Sequence, residues 1–244
     1  MSKGTSVDSG LPSFTGSGAD SVWNNHNISD VCNYNRWKTL VGSRSAKHHQ
    51  MLNNINQFYE DMYQAVKIAG PNSFHQWIGD LERSKQYNVV ILTTNVDDLF
   101  EKAGCTNVIH LHGEIGMYRC TICGRRTSIK TTRCPSPKCN SRYIKTDVTF
   151  YCEVAEKQYL KALRQFDILQ RGDFMIAAGT SARTFQMSRT AWKEAKERGV
   201  KTIHINPNPG PMLDYPADEQ YVMGKYIIHV SFINPSCPIS SRYK

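Results

Sequence analysis

Val89-Val90-Ile91-Leu92-Thr93-Thr94-Asn95-Val96-Asp97 decides the fold. Four consecutive apolar residues have strand length and leave neither face polar, the pattern of a parallel strand covered by helices on both sides. The run then gives way to hydroxyl, amide and carboxylate side chains. In open α/β sheets ligands gather beyond the carboxyl ends of the strands, so 94–97 is a candidate ligand segment.

Working outward, 54–67 and 73–84 carry apolar residues at helical spacing, with Pro71-Asn72 as the break between them. Residues 108–111 are a second short strand. Further on, 156–170 reads as a helix, 174–178 as a strand, 185–198 as a helix stopped by Gly199, and 202–205 as a last strand ending at Asn206. This alternation predicts an α/β fold, a Rossmann-like doubly wound parallel sheet. Gly179-Thr180-Ser181 and Asn206-Pro207-Asn208 fall at strand ends as 94–97 does. A glycine there allows close backbone approach, and hydroxyls suit phosphate or ribose oxygens, although the G-x-G-x-x-G fingerprint is absent. Residues 1–22 have the Gly/Ser composition of a loop, and 232–244 read as an irregular tail.

A second unit interrupts this pattern. Cys120, Cys123, Cys134 and Cys139 are spaced C-x2-C, ten residues, C-x4-C. Four thiolates so spaced form a zinc-ribbon shell around one Zn2+ and leave no position for water, so the metal is structural. The expected organisation is a discontinuous Rossmann-like domain, 1–113 and 147–231, a zinc-ribbon module, 114–146, and the tail 232–244.

Composition narrows the classes further. The 244 residues are 40% hydrophobic and carry a net charge of +9. No apolar run reaches the 18 or so residues of a membrane span, and Met1 to Ser6 has no secretory apolar stretch. The other four of the eight cysteines, Cys32, Cys105, Cys152 and Cys237, are scattered, which fits a reducing, cytoplasmic location. Eight basic residues and no acid lie between Arg119 and Lys145. They read foremost as a face that offsets the negative ZnCys4 centre, and secondly as attraction to an acidic partner. Only Tyr118 and Tyr143 interleave with them, too few for stacking-based nucleic-acid binding. A monomer is expected.

These residues also carry a resemblance. The stretch from Gly4 to about Pro209 resembles the sirtuins, and most of all their bacterial and mitochondrial-type class III members. Gly4-Thr5-Ser6-Val7-Asp8-Ser9-Gly10-Leu11-Pro12-Ser13-Phe14 is similar to G-I-S-x-x-S-G-I-P-x-F. Thr94-Asn95-Val96-Asp97 is similar to Q-N-I-D, and Leu111-His112-Gly113 to the catalytic L-H-G. Val148 to Glu153 is similar to V-V-x-F-G-E, and Gly179-Thr180-Ser181 matches G-T-S. The resemblance implies an NAD-dependent protein-lysine deacylase that transfers the acyl group to ADP-ribose and releases nicotinamide. It implies His112 as general base, a role that suits a neutral imidazole near pH 7.

Cofactor binding is implied for Gly4, Ser6, Gly10, Pro12, Phe14, Trp23, Thr94, Asn95, Asp97, Gly179, Thr180, Ser181 and Asn206. Among these, Asn95 and Asp97 would hold the nicotinamide amide and ribose, and Phe14 would shield the reacting face. Val148 and Phe150 would flank the lysine stem. Tyr59 and Met62 would stand at the acyl end, where acid-removing members carry Tyr-x-x-Arg. With Met62 in the arginine position, neutral acyl groups are expected over acidic ones. His110 is expected to point away from His112 and to be structural.

The chain departs from the family in four places. Thr15 stands for an arginine, Thr94 for a glutamine and Cys152 for a glycine, and the central first strand is not found ahead of Gly4. A sheet without that strand would expose two ladder edges. Two other readings therefore stay open: an NAD glycohydrolase or ADP-ribosyltransferase, and a catalytically impaired binding module.

Overall fold

A computed structural model describes residues 5–11, 22–23, 26–153, 156–178, 187–205, 217–221 and 229–233 of the chain. A 3-10 turn, Thr5–Ser9, is followed by a two-strand ribbon, β1 (Val22–Trp23) and β2 (His26–Asn27), and by the helices α1 (Ile28–Val31), α2 (Tyr34–Gly42), α3 (Ala46–Ile68) and α4 (Ser73–Arg83). Next come β3 (Asn88–Thr93), α5 (Leu99–Lys102) and β4 (Val108–His110), then β5 (Gly113–Cys120), β6 (Arg126–Thr127) and β7 (Ile144–Val148). The last described elements are α6 (Glu156–Asp167), β8 (Phe174–Ala178), α7 (Met187–Glu197), β9 (Lys201–Ile205), β10 (Glu219–Tyr221) and β11 (His229–Ile233).

Local chemistry sets the helix starts. Asn27 and Asn33 cap α1 and α2 by accepting from Ser29 N and Arg36 N. Asn72 accepts from Phe74 N and His75 N, while His75 Nδ1 accepts from Asn72 N, closing a capping box at α4. Helix α3 begins at Ala46, eight residues before the apolar spacing suggests, and its buried face starts only at Ile55. Its first turns are polar and solvated, so periodicity does not register them.

The main sheet has the order β10-β9-β8-β11-β3-β4. In β3, Val90 and Leu92 pack in one apolar cluster with α6 and α7, and Val89 and Ile91 in another with α4 and α5. A strand apolar on both faces is thus sandwiched between helices, as Val89–Leu92 suggests. All neighbours are parallel except at β11, which pairs antiparallel with both β3 and β8.

Strand β11 corrects two expectations. The gap that the missing central strand would leave between β3 and β8 is filled, so neither ladder is open there. The segment that fills it runs into residues whose composition reads as an irregular tail. Five residues with mixed character give no strand signal of their own; two flanking ladders supply the pairing partners. Deleting 229–244 should open both ladders at the centre of the sheet. We expect the shortened protein to lose its cooperative thermal transition or to aggregate on expression. An unchanged melting temperature would show that β11 does not hold the sheet.

The second sheet is antiparallel, in the order β6-β5-β7, and carries the four zinc-type cysteines at its far end. Its near end, Gly113 opposite Val148, abuts the main domain.

Candidate active site and zinc centre

The carboxyl end of β3 opens into the loop 94–97, which is tethered on several sides. Asn95 N donates to Thr93 Oγ1 at 3.0 Å, and Ile115 N donates to Val96 O at 2.7 Å. Asn95 Nδ2 donates to Ser6 Oγ at 2.9 Å, and Ser6 Oγ donates to Asp97 Oδ2 at 2.7 Å. The 3-10 turn is thereby joined to the loop through three side chains, Ser6, Asn95 and Asp97, all expected to hold the cofactor. Gly10, with φ +86°, turns the chain so that Leu11 enters the core beside Leu99 and Phe150. Asp97 is buried. Burial raises its pKa above the ordinary carboxylate value, against the bonds from Ser6 and from Leu99 N.

His112 sits in the turn between β4 and β5. Its carbonyl accepts from Thr149 N at 2.7 Å, and Leu111 N donates to Thr93 O at 2.8 Å. The histidine is therefore stitched between the loop 94–97 and the segment Val148–Phe150. Burial lowers its pKa, while a hydrogen bond to the Thr94 backbone acts the other way. The result is an imidazole that stays neutral at pH 7 and has a free basic nitrogen.

Gly113 explains the turn. Its φ is +81°, and a β-carbon there would lie 1.7 Å from the Asp147 carbonyl oxygen. Only glycine admits both the conformation and the contact.

Val148, Phe150, Tyr59 and Met62 are buried in one cluster with Phe58, Leu11 and Leu99. The Tyr59 and Phe150 rings stack at 5.4 Å. Phe150 N donates to Glu153 Oε2 at 2.9 Å, and Lys145 Nζ lies 4.0 Å from the Phe150 ring centroid. Lys145, only 3% exposed, meets Glu153 at 3.0 Å and donates to the carbonyls of Thr146 and Val148. Arg119 bridges Glu153 and Asp147, and Arg126 bridges Asp147 and Glu114. Sequence reasoning placed these cations in a basic surface cluster. Three of the eight are instead paired with acids: Lys145 is buried, Arg119 half-buried, and Arg126 reaches Asp147 from the surface. The signal that marks them is the set of acids just outside the basic run, Glu114, Asp147 and Glu153.

His110 differs from expectation. It does not point away from the site. His112 lies beyond the strand, in the turn, and His110 meets the same loop as His112 does. Its Nδ1 lies 3.1 Å from Asn95 O and its Nε2 lies 2.8 Å from Glu101 Oε1. Gly4, Pro12, Phe14, Gly179, Thr180, Ser181 and Asn206, and the side chain of Trp23, lie outside the described residues.

The four cysteine sulfurs lie within 4.8 Å of one another, with Cys120–Cys139 at 3.7 Å and Cys123–Cys134 at 3.5 Å. A tetrahedron with Zn–S of ~2.3 Å has S···S edges of about 3.8 Å, so the donor set fits one Zn2+ with every position filled. Substituting Cys134 with Ala should release zinc and lower the melting temperature, because metal binding and folding are coupled. A folded wild-type protein without zinc by metal analysis would overturn the assignment.

Cys152 allows a second measurement. It occupies the left-handed region, φ +65°, where the resembled motif has glycine. A non-glycine residue there costs about 1–2 kcal/mol, and glycine's extra freedom when unfolded returns roughly 0.5–1. Cys152→Gly should therefore stabilise by about 0.5–1 kcal/mol and raise Tm by a few degrees in a thermal melt. A lowered Tm would mean that the thiol makes contacts the backbone argument omits.

With this geometry in view, comparison places the chain. The profile of the Sir2 family matches residues 3–185. The chain is 33% identical to NAD-dependent protein deacylase 1 of Archaeoglobus fulgidus, over 86% of this chain and 80% of the relative. It is 30% identical to the NAD-dependent protein deacylase of Aggregatibacter actinomycetemcomitans, over 85% of this chain and 91% of the relative. Among solved structures, a Sir2 homologue–NAD complex superposes with a TM-score of 0.70 at 30% identity, covering 91% of this chain and 82% of that one. A mutant Sir2 homologue bound to 2'-O-acetyl ADP ribose superposes with a TM-score of 0.68 at 29% identity, covering 91% and 83%. A match across three quarters of its length, on the same loop, histidine and cysteines, shows that the chain belongs to the Sir2 family.

Proposed function

We propose that this chain is an NAD-dependent protein-lysine deacylase with a structural zinc. One observation carries the reading: the 2.7 Å bond from Thr149 N to His112 O. It sets a neutral histidine between the loop that carries Asn95 and Asp97 and the apolar wall of Val148 and Phe150. A base placed there faces a nucleotide on one side and an extended substrate stem on the other. The relatives from Archaeoglobus fulgidus and Aggregatibacter actinomycetemcomitans are named NAD-dependent protein deacylases.

NAD, when bound, supplies the ribose that accepts the acyl group as nicotinamide leaves. The chain's residues do the rest. Asn95 presents an amide to the nicotinamide amide, oriented by Ser6. Asp97, buried and bonded to Ser6, meets the ribose edge. Gly4, Gly10, Pro12, Phe14, Trp23 and Thr94, with Gly179, Thr180, Ser181 and Asn206, complete the nucleotide site in this reading. His112, its pKa depressed by burial, takes a proton from the ribose hydroxyl at its free ring nitrogen. Val148 and Phe150 exclude water from the lysine stem. In this reading the protein is a monomer and works in the cytoplasm, and the buried free thiols of Cys32 and Cys105 suit a reducing compartment. No helix of the described residues is long and apolar enough to cross a membrane.

The acyl end favours a neutral group. Met62, 9% exposed, packs with Tyr59 and Phe58, and among the described residues no cation joins that cluster. The neighbouring acids do not repel a carboxylate there, since Glu60 pairs with Lys130 at 2.5 Å and Asp61 holds Gln57 at 2.7 Å on the exposed side of α3. The missing cationic partner alone sets the preference. A charge-assisted bond to a buried carboxylate is worth about 1.5–3 kcal/mol, so acetyl-lysine should exceed succinyl-lysine by roughly 10- to 150-fold in kcat/KM on one peptide. His112→Tyr should abolish turnover of both. Nicotinamide release without deacylated peptide would make the protein a glycohydrolase or ADP-ribosyltransferase, and silence of the wild type would make it a binding module.

A further inference from the structure

His110 is buried against the loop that would hold the nicotinamide, and the general-base reading does not use it. Both of its partners are acceptors. The Asn95 carbonyl can only accept, and so can the ionised Glu101 carboxylate. A neutral imidazole carries one N–H and serves one of them; an imidazolium serves both. Distances of 3.1 and 2.8 Å show both contacts made at once. The charged groups around the ring favour the cation. Glu101 from α5 bonds it, Asp97 interacts with it from the loop, and Glu114 interacts with it from β5. Two cations, Arg126 from β6 and Lys161 from α6, line the same small cavity, and Arg126 is already engaged by Glu114 and Asp147. Burial works against protonation of His110, but the Glu101 bond and charge, with the Asn95 carbonyl, outweigh it and raise the pKa above the ordinary value.

We propose that His110, as an imidazolium, is a positioning residue that clamps the Asn95 carbonyl to Glu101 and so fixes the Asn95 side chain for the dinucleotide. This rests on the deacylase reading above. The clamp acts through the backbone of the residue whose amide is aimed by Ser6, and it links β4 and α5 to the loop that follows β3. The sign of the pH dependence follows. A group with a raised folded-state pKa is fully effective below its unfolded value and loses its effect as pH rises through the folded value. Dinucleotide affinity should therefore fall on the alkaline side as His110 loses its proton. His112 requires the opposite state, neutral, and its depressed pKa governs the acid limb of kcat. Two histidines on one short segment, pushed apart in pKa, leave a window in which the clamp is charged and the base is not.

The test is NAD binding to the full chain by calorimetry from pH 5.5 to 9.5, which needs no turnover, together with KM and kcat over the same range. For the wild type we expect Kd and KM for NAD to rise about tenfold across one alkaline titration, with kcat changing little there. Glu101→Gln removes the carboxylate, leaves the ring, and should move the midpoint of that titration to lower pH. His110→Gln keeps one donor and no titration; it should bind NAD more weakly at pH 7 and show a flat alkaline limb, with kcat within a few-fold of wild type. A wild-type Kd that does not vary with pH would overturn the proposal. So would an unmoved midpoint in the Glu101→Gln protein, or a His110→Gln protein that keeps the wild-type pH profile. Absence of NAD binding by the wild type at every pH would instead overturn the deacylase reading on which the proposal stands.

Discussion

A β-carbon at residue 113 would lie 1.7 Å from the Asp147 carbonyl oxygen, and that contact organises the site. Because the chain passes so close, β5 can pair with β7 from its first residue, Gly113 opposite Val148. The same turn leaves the His112 carbonyl free to accept from Thr149 N. His112, zinc ladder and apolar wall are thus set by one left-handed glycine. Any side chain there would push β7 away and take Val148 and Phe150 with it. The zinc cluster lies at the other end of β5, where Cys120 closes the strand, so the metal fixes the far end of a lever whose near end carries the His112 turn.

The wall behind that turn stands on buried charge. Lys145, Glu153, Arg119, Asp147 and Arg126 form a continuous chain of ion pairs at 2.5–3.0 Å, and Asp147 is 1% exposed. Isolated charges in such a place would be costly, and removing one partner would leave another uncompensated. Each carboxylate here has at least two donors, and Glu153 also accepts from Phe150 N. Burial pushes the Glu153 pKa up, yet Lys145, the Phe150 amide and Arg119 together bring it below the ordinary value. Glu153 therefore contributes stability above the usual carboxylate range and loses it as pH falls through its lowered pKa. The network joins β5, β6 and β7 to the Phe150 backbone, which makes the position of the wall a property of the zinc module.

Much of this was legible in the residues. The all-apolar run at Val89–Leu92 has the strand's own signature, because burial on both faces leaves no polar position to hide it. Four cysteines at ribbon spacing are equally explicit, since few other chemistries need that pattern. Other features depend on what comes close in space. His110 carries no mark in sequence that separates a cation clamp from a packed ring; that follows only from Asn95 O and Glu101 standing on its two nitrogens. The basic stretch misled for the same reason. Charge counted along the chain cannot show that Arg119, Arg126 and Lys145 pair with acids that lie beyond the run.

Strand β11 shows how direction matters when hydrogen bonding does not. Antiparallel pairing with β3 and β8 satisfies both ladders as well as a parallel strand would. The register sets His229 against Leu92 and Ala177, at the carboxyl ends of its neighbours, and Phe232 against Val89 and Phe174, at their amino ends. A parallel strand in that slot would end at the ligand side and deliver its following loop there. An antiparallel strand begins at the ligand side and carries the chain away from it. The sheet is thereby completed while no described strand runs directly into the Thr5–Ser9 turn. That turn is held at the site by other means: Ser6 between Asn95 and Asp97, and Leu11 in the core beside Leu99. Because Ser6 ties the turn to the loop 94–97, each tether on that loop, the His110 contact with Asn95 O included, bears on the turn as well.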